Sequence, residues 1–272
     1  MNLTNKTYIG SNDRASLIDL QLPDSFNGKL IVFAHGYKGY KDWGAWNLLQ
    51  QYFVSKNYGF CKFNFSHNGG TAANGIDFPD LDAFSRNTFS KEVFDLQQVL
   101  NFLEKKLDTF PEIHLIGHSL GGGIVLLNAR DHRVKSIITL ASVSSIAKRF
   151  SDQKMMDEWK LKGVRYVENQ STKQEMPHLY DQAIDFLENK ESLNIQSACK
   201  SFQKPCLIIH GDQDETVPIS EGYDIAKWTH STLQVVLGGN HVFGVSHPWD
   251  QDRLPSDLEK VCVMIDSFLT NN

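Results

Sequence analysis

Ile116-Gly117-His118-Ser119-Leu120-Gly121-Gly122-Gly123 follows the apolar run Ile113 to Ile116 and leads into the helix-like run Ile124 to Ala129. A Gly-x-Ser-x-Gly turn between a strand and a helix is the pattern of a nucleophile elbow. So tight a turn holds its serine in a strained, usually positive-φ conformation and crowds the neighbouring side chains. Gly117 and Gly121 then stand where a Cβ would clash, and the Ser119 hydroxyl is held clear of the backbone. The same letters also fit an incidental serine in a glycine-rich turn. A base, an acid and an oxyanion site arriving in the right order would separate the two readings.

Working outward, Lys6 to Ile9 and Ile18 to Leu22 read as two antiparallel strands joined through Gly10-Ser11-Asn12-Asp13. Leu30 to Ala34 (LIVFA) is continuously apolar, as expected for a central strand covered on both faces. Asp42 could cap a helix carrying Trp46, Leu49 and Phe53, and Tyr58 to Phe65 reads as the next strand. From Ser90, a plausible N-cap, to Leu107 the apolar residues Val93, Leu96, Val99, Leu100, Leu103 and Leu107 share one helix face. Glu112 to Gly117, Val134 to Ala141, Pro205 to Ile209 and Thr232 to Leu237 supply further strands, with helices at Ser220 to Thr229 and Pro255 to Leu269. This alternation implies a single α/β domain over residues 1–272, a mostly parallel eight-stranded sheet with helices on both faces. Between Ser142 and Lys204 the alternation breaks. A helix from Asp152 to Leu161, a hairpin within Gly163 to Pro177 and a helix from His178 to Asn189 read as an insertion over residues 145–200.

Composition narrows the function class. With 272 residues, 41% hydrophobic and 22% charged, the chain can bury a sizeable core. A net charge of −5 and a pI near 6.0 argue against a nucleic-acid partner. Cys61, Cys199, Cys206 and Cys262 show neither metal-ligand spacing nor a disulfide pattern. No stretch approaches the roughly 18 to 20 apolar residues of a membrane span, and Met1 to Asp13 lacks an apolar signal core. The expectation is a soluble protein of a reducing compartment, the cytoplasm, with no membrane partner.

Three further motifs fall at strand ends. His35-Gly36-Tyr37-Lys38-Gly39 follows the third strand, where the Tyr37 N–H could bind an oxyanion together with the Leu120 N–H. Losing one such donor typically costs about 2.7–4 kcal/mol of transition-state stabilisation. His210-Gly211-Asp212-Gln213-Asp214-Glu215-Thr216-Val217-Pro218 offers a carboxylate that could orient a histidine. Asp214 is preferred over its rivals Asp212 and Glu215, because the turn needs a few residues before it reaches inward. Gly238-Gly239-Asn240-His241-Val242-Phe243-Gly244 supplies one histidine on a loop beyond the last strand, the place for a general base. His35, His118 and His210 are read as packing and turn residues, with the His118 side chain directed away from the serine. His67, His114, His132, His178, His230 and His247 are read as structural or exposed.

The order Ser119, Asp214, His241 is that of α/β-hydrolases, and each motif lies at the carboxyl end of a strand, where open α/β sheets build their sites. On His35 to Gly39, Phe63-Asn64-Phe65-Ser66, Gly117 to Gly121, His210 to Pro218 and Asn240-His241-Val242-Phe243, the chain resembles the α/β-hydrolase superfamily throughout. Within it the chain is most similar to small bacterial carboxylesterases of the cinnamoyl or feruloyl esterase kind. The resemblance implies a serine hydrolase that cleaves esters of small apolar or aromatic acids through an acyl-enzyme. Ser119 would be nucleophile, His241 base, Asp214 its orienting acid, and Tyr37 and Leu120 the oxyanion donors. It also implies a cap at 145–200 that helps bind the acyl group, with Met155, Met156, Trp159 and Tyr180 as candidates. Ser66-His67-Asn68-Gly69-Gly70 departs from the family's common Gly-His-Gly ending. No metal or organic cofactor is called for, the partner is a small-molecule ester, and the oligomeric state stays open, a homodimer included. Activity is expected to fall as pH drops through the histidine pKa, roughly 6–7 for an ordinary side chain. A peptidase, thioesterase or acyltransferase would use the same residues, and a binding protein could keep the fold without the chemistry. A haloalkane dehalogenase would want a carboxylate at position 119.

Overall fold

A run that is apolar at every position must be covered on both faces, and residues 30–34 of β3 (Lys29–Ala34) are. In the computed structural model, which describes residues 1–272, side chains alternate along it with period two. Leu30, Val32 and Ala34 join one core, Ile31 and Phe33 the other. The first core lies under α3 (Phe89–Lys106), α4 (Leu120–Leu127) and α8 (Ile219–Thr229). The second lies under α1 (Trp46–Ser55) and α9 (Ser256–Asn271), through Trp46, Leu49 and Phe53 on one helix and Leu258, Val261, Cys262, Ile265 and Leu269 on the other. The short α2 (Leu81–Ser85) precedes α3.

The remaining strands of the main sheet are β1 (Asn2–Ile9), β2 (Ala15–Gln21), β4 (Gly59–Phe63), β5 (Glu112–His118), β6 (Val134–Leu140), β9 (Cys206–Gly211) and β10 (Leu233–Val236). Eight strands lie in the order β1-β2-β4-β3-β5-β6-β9-β10. Only β2 runs against the others, pairing antiparallel with β1 and β4, while the other neighbours pair in parallel. The expected eight-stranded, mostly parallel sheet with helices on both faces is the one found. No helix is long and apolar enough to cross a membrane.

Between β6 and β9 the chain leaves the sheet. It makes a short turn, Ala147–Phe150, then α5 (Gln153–Lys162), the antiparallel hairpin of β7 (Val164–Glu168) and β8 (Glu175–Leu179), α6 (Asp181–Glu188) and α7 (Ile195–Ser201). Helix, hairpin and helix follow the pattern read from the sequence. The additional α7 is seven residues long, too short for an apolar period to show.

Several local expectations are corrected. Asp42 caps no helix: α1 begins after Ala45, and Asp42 instead pairs with the buried ammonium groups of Lys41 and Lys62. The N-cap of α3 is Thr88, whose hydroxyl accepts from the Lys91 N–H, and Ser90 lies inside the helix. The helix after the elbow starts at Leu120 rather than Ile124, with its glycines inside the first turns because the sheet approaches them closely. The loop Ser66 to Gly70 is buried, and Asp95 of α3 fastens it by accepting from the Ser66 N–H at 2.6 Å and the Ser66 hydroxyl at 3.0 Å.

Candidate active site

Ser119 sits between β5 and α4 with φ +55° and ψ −119°, a backbone that residues other than glycine rarely adopt. The two flanking glycines permit it. A Cβ on Gly121 would stand 2.4 Å from the carbonyl oxygens of both Ala34 and His35, and one on Gly117 would stand 2.2 Å from the Gly121 oxygen. The strand-to-helix turn is therefore pressed directly onto the end of β3, which brings the loop Gly36–Gly39 beside the serine.

The structure brings Ser119, His241 and Asp214 into one line. His241 Nε2 is 3.0 Å from Ser119 Oγ, and its Nδ1 is 2.8 Å from Asp214 Oδ2. The Asp214 side chain is fully buried, whereas His241 keeps a small exposed edge. Burial alone would favour the neutral acid. Hydrogen bonds from His210, His241 and the Val217 N–H outweigh it and hold the carboxyl well below the usual carboxylate range. Its Oδ1 accepts from the Thr216 and Val217 N–H groups, each at 2.8 Å. Asp212 lies elsewhere, accepting from the Gly238 N–H at 2.7 Å. Glu215, on the same turn, is exposed.

Leu120 is the first residue of α4, so its N–H has no intrahelical acceptor. Neither it nor the Tyr37 N–H takes part in the backbone hydrogen bonding of the fold. The Tyr37 hydroxyl is 2.7 Å from His178 Nε2, which ties the loop after β3 to β8 of the insertion. Burial pushes the Tyr37 phenol up to about 12, against the opposing pull of Arg149 and Arg165. His178 is itself buried and held neutral, its pKa lowered to about 3 first by desolvation and then by neighbouring cations.

Two histidines read as packing residues lie against this line. His210 Nε2 is 3.2 Å from Asp214 Oδ2 and 2.9 Å from the Val217 carbonyl. His118 does not turn away from the serine's side. On β5 it shares the face of Ile116, directed toward α1, so its ring packs on Trp46 and beneath the His241 loop. There its Nε2 is 2.9 Å from the His241 carbonyl, and its ring centroid is 4.9 Å from that of His241. The period-two rule applied to β5 would have found it.

Two cavities meet at Ser119 and His241. One, of about 200 Å³, is walled by Trp43, Trp46, His118 and the hairpin turn Asn169-Gln170-Ser171. The other, of about 430 Å³, is walled by Val143, Lys148, Arg149, Thr216, Val217 and Glu221. None of Met155, Met156, Trp159 or Tyr180 lines either. Trp159 is buried with Met156 and Ala183, donates to the His178 carbonyl at 2.8 Å and carries Arg165 on its ring. Met156 and Tyr180 face a separate cleft of about 730 Å³. The insertion reaches the serine's cavities through polar segments, the hairpin turn and the stretch carrying Lys148 and Arg149, which no apolar pattern marks. No group of three or more His, Cys, Asp or Glu side chains gathers as a metal-ligand set.

A family model described as "Alpha/beta hydrolase family" matches residues 31–251. No curated protein sequence matches the chain. Among solved structures, Est1E from Butyrivibrio proteoclasticus with ferulic acid bound is 20% identical, with a TM-score of 0.70 over 98% of each chain. The esterase domain of a Rhodothermus marinus protein is 17% identical, with a TM-score of 0.66 over 98% of this chain and 97% of that one. Mouse alpha/beta hydrolase domain-containing protein 10 is 18% identical, with a TM-score of 0.69 over 98% of this chain and 99% of that one. At these identities the likeness is one of fold.

Proposed function

The chain belongs to the alpha/beta hydrolase family, and on that premise we propose that it is a serine esterase working through an acyl-enzyme. The observation that carries this reading is the unbroken run of hydrogen bonds from Ser119 through His241 to a buried, ionised Asp214. Ser119 Oγ attacks the ester carbonyl while His241 Nε2 takes its proton. The tetrahedral oxyanion is received by the N–H groups of Tyr37 and Leu120. Collapse expels the alcohol, which leaves with the proton from His241. Water then enters, loses a proton to His241, attacks the acyl carbonyl and frees the acid and Ser119. Asp214 keeps the Nδ1–H of His241 pointing at itself, so Nε2 stays aimed at the serine.

The indole walls of the smaller cavity suit a small apolar or aromatic half of the substrate. Ferulic acid, bound by the Butyrivibrio esterase, is an aromatic acid of this kind. Residues 145–200 act as a cap, and the protein works in the cytoplasm without a cofactor. Labelling with a fluorophosphonate probe tests the reading: the wild type should be labelled and Ser119→Ala should not. Absence of Ser119-dependent labelling would overturn it.

A further inference from the structure

The larger cavity beside Ser119 holds charge that the fold does not neutralise. Arg149, from the turn Ala147–Phe150, lies with its guanidinium 5.0 Å from the centroid of the Tyr37 ring. It is half-buried, and its guanidinium makes neither an ion pair nor a hydrogen bond with any protein group. The neighbouring Lys148 is different: it pairs with Glu221 at 3.2 Å, and the other oxygen of Glu221 accepts from the Ser144 N–H at 2.6 Å. Lys38, which also lines this cavity, donates to the Glu168 backbone carbonyl at 3.1 Å and makes no ion pair. Two cations therefore face a space that contains the reactive serine and histidine, while its one carboxylate is already paired.

Taking a guanidinium out of water without an anion is unfavourable, and a planar carboxylate restores two directed hydrogen bonds at once. We propose that Arg149 receives an anionic group of the substrate, so that the enzyme selects esters carrying a carboxylate or similar oxyanion on the half that enters this cavity. The proposal rests on the esterase reading and adds a substrate class to it: one uncharged half against Trp43 and Trp46, one anionic half against Arg149. Lys38 adds to the positive field but lacks the fork that fixes orientation.

Two matched pairs of esters test it. On the acyl side, 4-nitrophenyl hydrogen adipate is compared with 4-nitrophenyl hexanoate. On the alcohol side, 4-carboxyphenyl butyrate is compared with 4-carbamoylphenyl butyrate. The wild type should favour the charged member of one pair by about 10- to 100-fold in kcat/KM, the worth of a charge-assisted hydrogen bond. The responding pair identifies the half that Arg149 holds. Arg149→Gln should collapse that ratio mainly through KM, and Arg149→Lys should restore part of it. Equal turnover of charged and neutral members by the wild type overturns the proposal whether or not the variants fold. So does an Arg149→Gln protein that loses both members alike. If no ester shows Ser119-dependent turnover, the esterase reading falls and takes the proposal with it.

Discussion

At the residue scale, the strain at Ser119 and the close approach of Gly117 and Gly121 belong to one device. The positive φ lifts the hydroxyl, and the missing Cβ atoms let α4 sit on the end of β3 beside the Gly36–Gly39 loop. Ser119→Ala should lower turnover by roughly a millionfold with the fold retained. Asp214→Asn should lower kcat by about 10⁴, because an amide no longer selects the tautomer that presents Nε2 to the serine. Asp212→Asn should do far less, since Asp212 serves only the Gly238 N–H; the reverse ranking in steady-state kinetics would reassign the acid. On the proposed mechanism, His118 acts as a positioning residue. Its Nε2–H donates to the His241 carbonyl and its ring supports that loop. His118→Ala should reduce kcat by up to about 100-fold with little change in KM, as expected for a misplaced base. Burial holds His118 neutral with a pKa near 3, so its own protonation will not shape the activity profile above that pH. That Ser119, Asp214 and His241 come together was legible because residue type and chain order point to that grouping. The supporting histidines were not, because the identity of a residue does not say what its ring leans on.

At the element scale, the sheet carries a buried polar group that the hydrophobic pattern conceals. Lys62 lies in β4 and Lys41 in the loop after β3. Both are almost fully buried against Asp19 of β2, with Lys41 2.7 Å and Lys62 3.5 Å from its Oδ2. Asp42 completes the set. Asp19→Ala would leave two buried ammonium groups sharing Asp42 as their one carboxylate, so a loss of roughly 2–3 kcal/mol is expected in chemical denaturation, short of the cost of a fully unpaired buried charge. Thr88→Ala, which removes the side-chain cap of α3, should cost about 1 kcal/mol by the same measurement. The strands were readable from Leu30-Ile31-Val32-Phe33-Ala34 and its counterparts because a doubly covered strand needs apolar residues on both faces. The wrongly placed caps show the limit: Asp42 and Ser90 are sound cap types, but the buried Lys41 and Lys62 claim the first and a threonine two residues upstream displaces the second.

At the scale of the whole molecule, burial sets an acid limit. Desolvation lowers His35, His67 and His114 to about 4 and His118 and His178 to about 3, whereas the unfolded chain protonates near 6.5. Between those values the unfolded state binds more protons, so stability is complete above roughly pH 6.5 and is lost as pH falls. Glu92 and Asp95 act in the opposite sense, since burial raises them to about 7 and about 6. Five groups against two leave a net uptake on unfolding of about three protons near pH 5.5, or up to about 4 kcal/mol per pH unit. Melting temperatures should therefore fall steeply from pH 6.5 to pH 5, and a flat profile would contradict the buried neutral histidines. Glu92→Gln should steepen the fall by removing part of the opposition. The amino-acid sequence by itself determined the sheet, the two helical layers and the chain order of serine, acid and histidine. These follow from side-chain period and from turn chemistry, which act over a few neighbouring residues. Only the tertiary structure decided that His118 and His210 pack against the Ser119–His241–Asp214 line, that the insertion meets Ser119 through Asn169 to Ser171, and that the Arg149 guanidinium lines the serine's cavity without an ionic partner. Those facts depend on which distant segments come to share a cavity, and on which charges are left unpaired once they do.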